Sequence, residues 1–495
     1  MTNAFAQFNG GIMEDSVQKQ KQDLVYMHAL AGIGFGCMIG WDVIGLFSPV
    51  LPLLAFTDLS GALYLRSVGI AAIAVSYIVY RKFAGRIFAM RTKMSIVAGA
   101  LSLPAAAMAA AHLVIDLPFA LDVIAWIAFG AGNSLMCVLW CSYLSMIPPK
   151  GTGFTVGGGA ALGTVLFCIA TCVQPMLLSL MLSALLVVAT VSLLNLLFAQ
   201  TPPERVEQLS RACTPPAPLT LPAALSLATH GIVYGFITFR ICSISFEAAV
   251  LVGGSGIIGS LCVVAVARFS KKFDFDNSLA QRVTQPIIVL GLLLMPMFDA
   301  PGMIVCGCII NNALAFMNII TWNSVCVENA EFHLQPIARF SGRQIPLWTG
   351  FLLGAVLMLA VDPLIATSET SGFFVTIVLA SLVVIAFAVY GADDSEAKEQ
   401  LENLMTVPEE ECVEEETPDP LTFRETCDEV GERYGLSPRE KDVFYLLAKG
   451  RNAKYIQEEL CISTSTVKTH IYRIYRKMGI NSQQLLIDSV EDWKK

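Results

Sequence analysis

SGFFVTIVLASLVVIAFAVYGADDSEAKEQ, residues 371–400, sets two incompatible solvents side by side. From Ser371 to Gly391 there is no charged side chain; Asp393, Asp394, Glu396, Lys398 and Glu399 then follow almost at once. A helix rising about 1.5 Å per residue needs about 20 apolar residues to cross the ~30 Å hydrocarbon core of a bilayer, and the first part of this stretch supplies them. The second part belongs in water. The chain therefore leaves the membrane near Gly391.

Composition divides at the same point. The 391 residues up to Gly391 hold 35 charged side chains, and the 104 beyond it hold 37. Whole-chain averages of 15% charged and 55% hydrophobic residues, with a mean hydropathy of +0.64, blend these two regimes. A wholly soluble enzyme, a disordered protein and a small disulfide scaffold are excluded. The 14 cysteines include no CxxC pair, and most, such as Cys37, Cys168, Cys262 and Cys306, sit in apolar runs where a thiol behaves as a small hydrophobe. No metal-ligand spacing, Walker A sequence or catalytic triad spacing is present, so neither a metal site, a cofactor nor an enzymatic activity is expected.

Upstream of Gly391, apolar runs recur at 24–46, 61–80, 94–114, 120–145, 153–174, 177–199, 222–242, 247–267, 283–299, 302–325, 344–361 and 371–391, which predicts twelve spans. The ninth is short and holds Pro286 and Pro296. Residues 1–23 are polar, without the cleavage site of a signal peptide. Arg81 to Lys93 carries five basic residues and no acid, and Lys19, Lys21, Lys150, Arg205, Arg211, Arg268, Lys271, Lys272, Arg282, Arg339 and Arg343 fall on the same side. The opposite connections hold Asp58, Asp116, Asp299, Asp362 and Glu369 and no base. Basic residues are retained on the cytoplasmic side, so both termini are expected in the cytoplasm and the spans in the cell membrane.

The longest connection, Gln200 to Leu221, contains Pro202, Pro203, Pro215, Pro216 and Pro218 and separates halves at 24–199 and 222–391. This 6+6 layout resembles the major facilitator superfamily, whose halves face each other across a central cavity. Gly85-Arg86 matches part of that family's segment between the second and third helices; the acid usual there is missing. After Gly391 an acidic linker, 392–419, holds twelve acids and the single base Lys398, with Glu409 to Glu411 and Glu414 to Glu416 in two blocks. Such a charge block is expected to be solvated and extended.

Residues 420–495 read as a separate domain. Ser437, Pro438 and Glu440 form a helix start in which the serine hydroxyl accepts from the third helical amide and the glutamate returns the bond. Val443, Leu446 and Leu447 give that helix an apolar face, and Gly450 can end it. A second helix is expected at about Ala453 to Leu460, burying Ile456 and Leu460. A third starts near Thr464, with Val467, Ile471, Ile474 and Met478 inward and Gly479 as its stop. A fourth runs from about Ser482 with Leu485, Leu486 and Val490 inward. The third helix carries Lys468, His470, Arg473, Arg476 and Lys477 and no acid, with Thr469 and Tyr472 on its exposed face. Two short helices joined by a tight turn, the second basic, is the geometry of a helix-turn-helix DNA reader.

Leu436-Ser-Pro-Arg-Glu, Leu446-Leu-Ala-Lys-Gly, Ile462-Ser-Thr-Ser-Thr-Val-Lys-Thr-His-Ile and Ile474-Tyr-Arg-Lys-Met-Gly closely resemble the LuxR-type DNA-binding domain. The resemblance implies that Lys468, Thr469 and Tyr472 face base edges in the major groove of double-stranded promoter DNA. It also implies that Thr464, Ser465, Thr466, Arg473 and Lys477 hold phosphates, with homodimers reading two half-sites. Tyr472 stands where a smaller or basic residue is commoner. The expected fold is all-α: a twelve-helix (6+6) polytopic bundle followed by a small four-helix helix-turn-helix domain.

Ionisable groups within a bilayer are costly and tend to be paired or functional. Asp42 and Arg66 should lie at similar depth in the first two spans, as should Arg240 and Glu247 in the seventh and eighth. Either each acid pairs with its neighbouring base, or some of the four line an outward-facing cavity and hold a small polar ligand. His112, His230, Asn133, Asn311, Asn312 and Asn318 read as interhelical hydrogen-bonding groups, and Trp41, Trp126, Trp140, Trp322 and Trp348 mostly as interfacial anchors, with stacking on an aromatic ligand as the alternative. The resulting expectation is a one-component membrane regulator that senses a small molecule, with a transporter carrying a regulatory tail as the alternative.

Overall fold

The structure, a computed structural model, describes residues 2–48, 51, 59–149, 151–203, 205–206, 219–269, 277–332, 335–367, 369–403, 420–451, 453–460, 464–478, 480, 483–491 and 493. These are helical apart from short turns, with no strand among the described residues. The chain separates into two compact units, Met1–Tyr390 and Gly391–Lys495. The glutamate blocks Glu409–Glu411 and Glu414–Glu416, the prolines 215, 216 and 218, Gly479 and Ser482 lie outside the described residues.

The first unit consists of α1 (Thr2–Phe47), α2 (Leu59–Lys82), α3 (Ala84–Ala89), α4 (Arg91–Ala111), α5 (Phe119–Leu144), α6 (Thr152–Cys172), α7 (Met176–Gln200), α8 (Leu221–Cys242), α9 (Phe246–Ser255), α10 (Ile257–Phe269), α11 (Asn277–Leu294), α12 (Ala300–Phe332), α13 (Pro336–Thr367) and α14 (Glu369–Asn403). Twelve spans among the described residues are long and apolar enough to cross a membrane, from Val25–Phe47 to Ser371–Tyr390. The eighth, Phe246–Arg268, is made of α9 and α10 together, interrupted at Gly256. The short ninth span keeps Pro286 inside α11 and ends in a 3-10 turn, Met295–Met297. The basic Arg81 to Lys93 stretch turns through α3. The last helix runs past Gly391 to Asn403, so the first twelve residues of the expected extended linker are helical. Ala, Glu, Lys, Gln and Leu there have high helix propensity, which outweighs the charge repulsion.

Small residues let two helix pairs meet backbone to backbone. Where Gly36 of α1 faces α6, an added Cβ would come within 2.8 Å of the Gly159 carbonyl oxygen, and one on Gly159 within 2.7 Å of that of Gly32. In the second half, Gly231 and Gly235 of α8 press on the carbonyls of Leu347 and Phe351, while Gly350 and Gly354 of α13 press on those of Ala228 and Ile232. Both sets have the small-xxx-small spacing that allows close approach in lipid, where helix association rests on packing rather than hydrophobic burial. The pairs are the first with the fifth span and the seventh with the eleventh, the same positions in each half.

The second unit adds α15 (Pro420–Arg433), α16 (Pro438–Ala448), α17 (Ala453–Leu460), α18 (Thr464–Met478) and α19 (Gln483–Glu491). The last four were expected; α15 was not. It brings Cys427 and Val430 into a core with Val443, Phe444, Leu447, Ile456, Val467, Ile471, Ile474, Tyr475, Leu486 and Val490. Leu485 is a correction: it is 45% exposed, because helical spacing places Leu486 and Val490, not Leu485, inward. Gly450, at φ +72°, closes α16 with Arg451 N–H donating to the Leu446 carbonyl and Gly450 N–H to that of Leu447. Buried Gln483 donates to the carbonyls of Leu447 and Arg451, tying the start of α19 to the end of α16.

Candidate nucleic-acid interface and membrane cavity

The helix-turn-helix is positioned by one buried carboxylate. Ser437 caps α16: Glu440 N–H donates to its hydroxyl at 3.4 Å, and Ser437 N–H donates to Glu440 Oε2 at 2.8 Å. The same oxygen accepts from Lys477 Nζ at 2.6 Å, while Arg473 Nη1 stands 3.9 Å from Oε1. Glu440 is 2% exposed. Burial raises its pKa, but the Lys477 ammonium and the Ser437 bonds outweigh burial and hold it below the usual glutamate value. This cap therefore doubles as the tie that sets the angle of α18 on α16.

Along α18, Val467, Ile471, Ile474, Tyr475 and Met478 are buried, and Tyr472 and Arg476 are exposed. Thr466, Thr469 and His470 are half-buried, and Thr464, Ser465 and Lys468 occupy the first two turns. The expected base-reading and phosphate-holding residues thus share one helix and its start. Two of them, Arg473 and Lys477, also face Glu440, and Lys477 donates to the Gly435 carbonyl at 2.7 Å. Burial and the charge of Arg473 lower the pKa of His470, leaving the imidazole neutral near pH 7. Arg476, without a protein partner in the described structure, is the cleanest probe of phosphate contact. Changing it to Ala should weaken binding to every DNA sequence and lower the salt slope by about one counterion, whereas changing Lys468 should cost about 1–3 kcal/mol chiefly at the preferred site. Fluorescence anisotropy across a salt series separates the two.

In the membrane unit the four ionisable residues singled out in the sequence do not form two acid–base pairs. Asp42 accepts from Asn133 Nδ2 at 2.6 Å, and Arg66 donates to the Ser48 carbonyl at 2.5 Å. Asp42 and Arg66 do border one small cavity, together with Trp126 and Phe129. Arg240 lies 3.4 Å from Asp362, and Glu247 is exposed in the first turn of α9, capped by Ser245. Asp362 of α13 thus reaches Arg240 where Glu247 does not.

A larger cavity lies between the halves, bordered by α1, α2 and α5 on one side and α8, α12 and α13 on the other, with about 840 Å³ of empty space including open solvent. Asp42 borders this cavity too. Its walls are aromatic: Tyr77, Tyr234, Trp322, Trp348 and Phe351. Trp348 stacks on Phe351 at 5.4 Å and donates to Gln344 Oε1 at 3.1 Å, and Tyr234 meets Phe351 edge-on at 5.0 Å. His230 donates through Nδ1 to the Ser226 carbonyl at 2.6 Å and meets Gln285 Nε2 at 2.8 Å, so its ring is satisfied without a proton on Nε2. The polar interhelical roles expected of Asn133 and His230 are met in this way, and Asn311 likewise donates to the Val252 carbonyl at 2.7 Å. Trp41, Trp126, Trp140, Trp322 and Trp348 are all buried within the bundle. Tyr77, Tyr234 and Gln344 went unnoticed; the one available signal was a polar Gln in an apolar run.

Residues 435–490 match the family model of bacterial regulatory proteins, luxR family. The same region is 42% identical over 48 residues to the transcriptional regulatory protein NarL of Mycobacterium tuberculosis, 10% of this chain and 22% of that protein. It is 40% identical over 48 residues to the spore germination protein GerE of Bacillus subtilis, 10% of this chain and 65% of that protein. The chain spans only 6% of a further relative, an HTH-type transcriptional regulator of M. tuberculosis. Over the membrane unit, the fold is similar to that of the MFS proton:xylose symporter XylE, with a TM-score of 0.52, 14% identity, and 74% of this chain and 95% of that one covered. A bacterial homologue of the iron transporter ferroportin gives a TM-score of 0.51 at 12% identity over 73% and 98% of the two chains. At such identities the likeness is one of fold.

Proposed function

We propose, starting from a chain that carries a LuxR-type helix-turn-helix domain and a multi-pass membrane bundle of the facilitator fold, that it is a one-component transcriptional regulator. In this reading a small molecule enters the cavity between the halves, and its presence governs promoter binding by α18. The observation that carries the reading is that one chain holds both a basic, exposed recognition helix and a cavity walled by the two halves. A ligand biases two conformations only if it binds them unequally, and halves that rock about a central cavity offer two such states. Double-stranded promoter DNA, contacted by a homodimer, is the output partner.

The transporter alternative draws support from the bundle itself, because the same cavity can carry a solute. Transcript comparison between wild-type and deletion cells across candidate ligands tests the regulator reading: ligand-dependent transcripts that vanish in the deletion are expected. Uptake or efflux by cells expressing residues 1–391 with no transcript change favours the transporter. The topology is checked separately. Sixteen of the 18 Lys and Arg before residue 392 fall on the proposed cytoplasmic side, so reporter fusions after Gly391 and within Arg81 to Lys93 should both read cytoplasmic. A single signal from the opposite side at either place overturns that arrangement.

A further inference from the structure

The central cavity contains an imbalance of charge. Its border includes one carboxylate, Asp42, and no Lys or Arg. Among the described residues Asp42 joins no ion pair; its hydrogen bond comes from the neutral amide of Asn133. Its expected partner Arg66 borders the adjoining small cavity and donates to a backbone carbonyl instead. One acceptor beside Asp42 is also left over: Asn133 Oδ1 is buried without a partner. The other ionisable ring in the wall, His230, is held between Ser226 and Gln285. Asp42 is half-buried, and a carboxylate so withdrawn from water without a counter-charge is costly, while a buried acceptor without a partner calls for a missing donor.

The aromatic walls indicate what form that group takes. Faces of Trp, Tyr and Phe attract cations and stack on planar rings, and such contacts strengthen when water is displaced. A polyanion finds no base in the wall, and an aliphatic neutral molecule leaves Asp42 unanswered. We propose that the cavity binds a small organic cation with an aromatic body, its ammonium group paired with Asp42 and its ring against Trp322, Trp348 and Tyr234. This names the class of ligand for the sensing reading above and rests on it for any role in transcription, but the binding itself stands apart from that role.

Three single-ring probes of nearly equal shape test it: phenethylamine, 2-phenylethanol and phenylacetate, titrated calorimetrically into the purified full-length protein in detergent. Phenethylamine should bind at least tenfold tighter than 2-phenylethanol, and phenylacetate more weakly than either. In Asp42→Asn the preference for phenethylamine should collapse to within about threefold while 2-phenylethanol is little changed. Equal binding of the three probes, tighter binding of phenylacetate, or no binding of any overturns the proposal. The wild-type comparison alone decides the matter if the variant fails to fold. A promoter reporter with phenethylamine then separates the two readings. Amine binding without a transcript response overturns regulation and leaves the cavity assignment standing, whereas absence of amine preference overturns the assignment whatever the reporter does.

Discussion

Glu440→Gln should lower the melting temperature of the DNA-binding unit by about 4–16 °C. The carboxylate is almost fully buried, completes the Ser437 cap and receives the Lys477 ammonium. Glutamine keeps a carbonyl that can accept from Ser437 N–H, so the cap survives; what is lost is the charge-assisted bond to Lys477, whose side chain is 37% exposed, a loss of about 1–2 kcal/mol. Domains of this size sit at the lower end of the usual 5–15 kcal/mol, so a loss of that size is a readable share of the total. Circular-dichroism melts of residues 420–495 should show the loss directly, and a variant that melts with the wild type refutes it. The pH dependence gives the same group a second signature. Because its folded pKa lies below the ordinary value of 4.5, its contribution is complete above that value and is lost as pH falls through the lower folded one. Wild-type stability should therefore drop on acidification through that window, and the variant should lack this component of the drop.

Gly235→Val should prevent the membrane unit from assembling. The new side chain would overlap the Phe351 carbonyl of α13 at a point where two backbones already touch, and a backbone cannot step aside as a side chain can. Overpacking at ordinary sites costs about 1–3 kcal/mol; here the pair must separate, forfeiting the contacts of both helices, so a loss above about 4 kcal/mol is expected. Gly158→Val is the matched control, since a Cβ there meets nothing within 4 Å. Size-exclusion profiles of detergent-solubilised protein should show aggregation or absence for the first and a normal peak for the second. Equal behaviour of the two removes the close-packing account of this helix pair.

What was legible in the sequence is local. Twelve spans follow from runs of apolar residues, and the Ser437-Pro438-Glu440 cap, Gly450 and the inward spacing of Val467, Ile471 and Ile474 follow from bonds and periods within a single helix. The α15 helix carried the same kind of signal in Phe423, Cys427 and Val430, but those residues precede the Ser437 cap from which the domain's helices are counted. Illegible were the contacts decided by which helices meet. Arg240 finds Asp362, 122 residues away, instead of nearby Glu247. Lys477 is drawn to Glu440 because α16 crosses α18 at that turn. The aromatic cavity wall arises from four helices far apart in sequence, so no run or spacing announces it.

The backbone contact between α8 and α13 has a mechanical corollary. Two rods welded at four glycines cannot slide or tilt independently, so the pair behaves as one stiff plate. His230 and Tyr234 project from one rod and Gln344, Trp348 and Phe351 from the other, all onto the same cavity. A molecule that leans on Trp348 therefore displaces Tyr234 by the same amount. Beside α12, this side of the cavity is thus one stiff panel rather than two independent rods, and whatever work a ligand does against it is delivered to both helices at once.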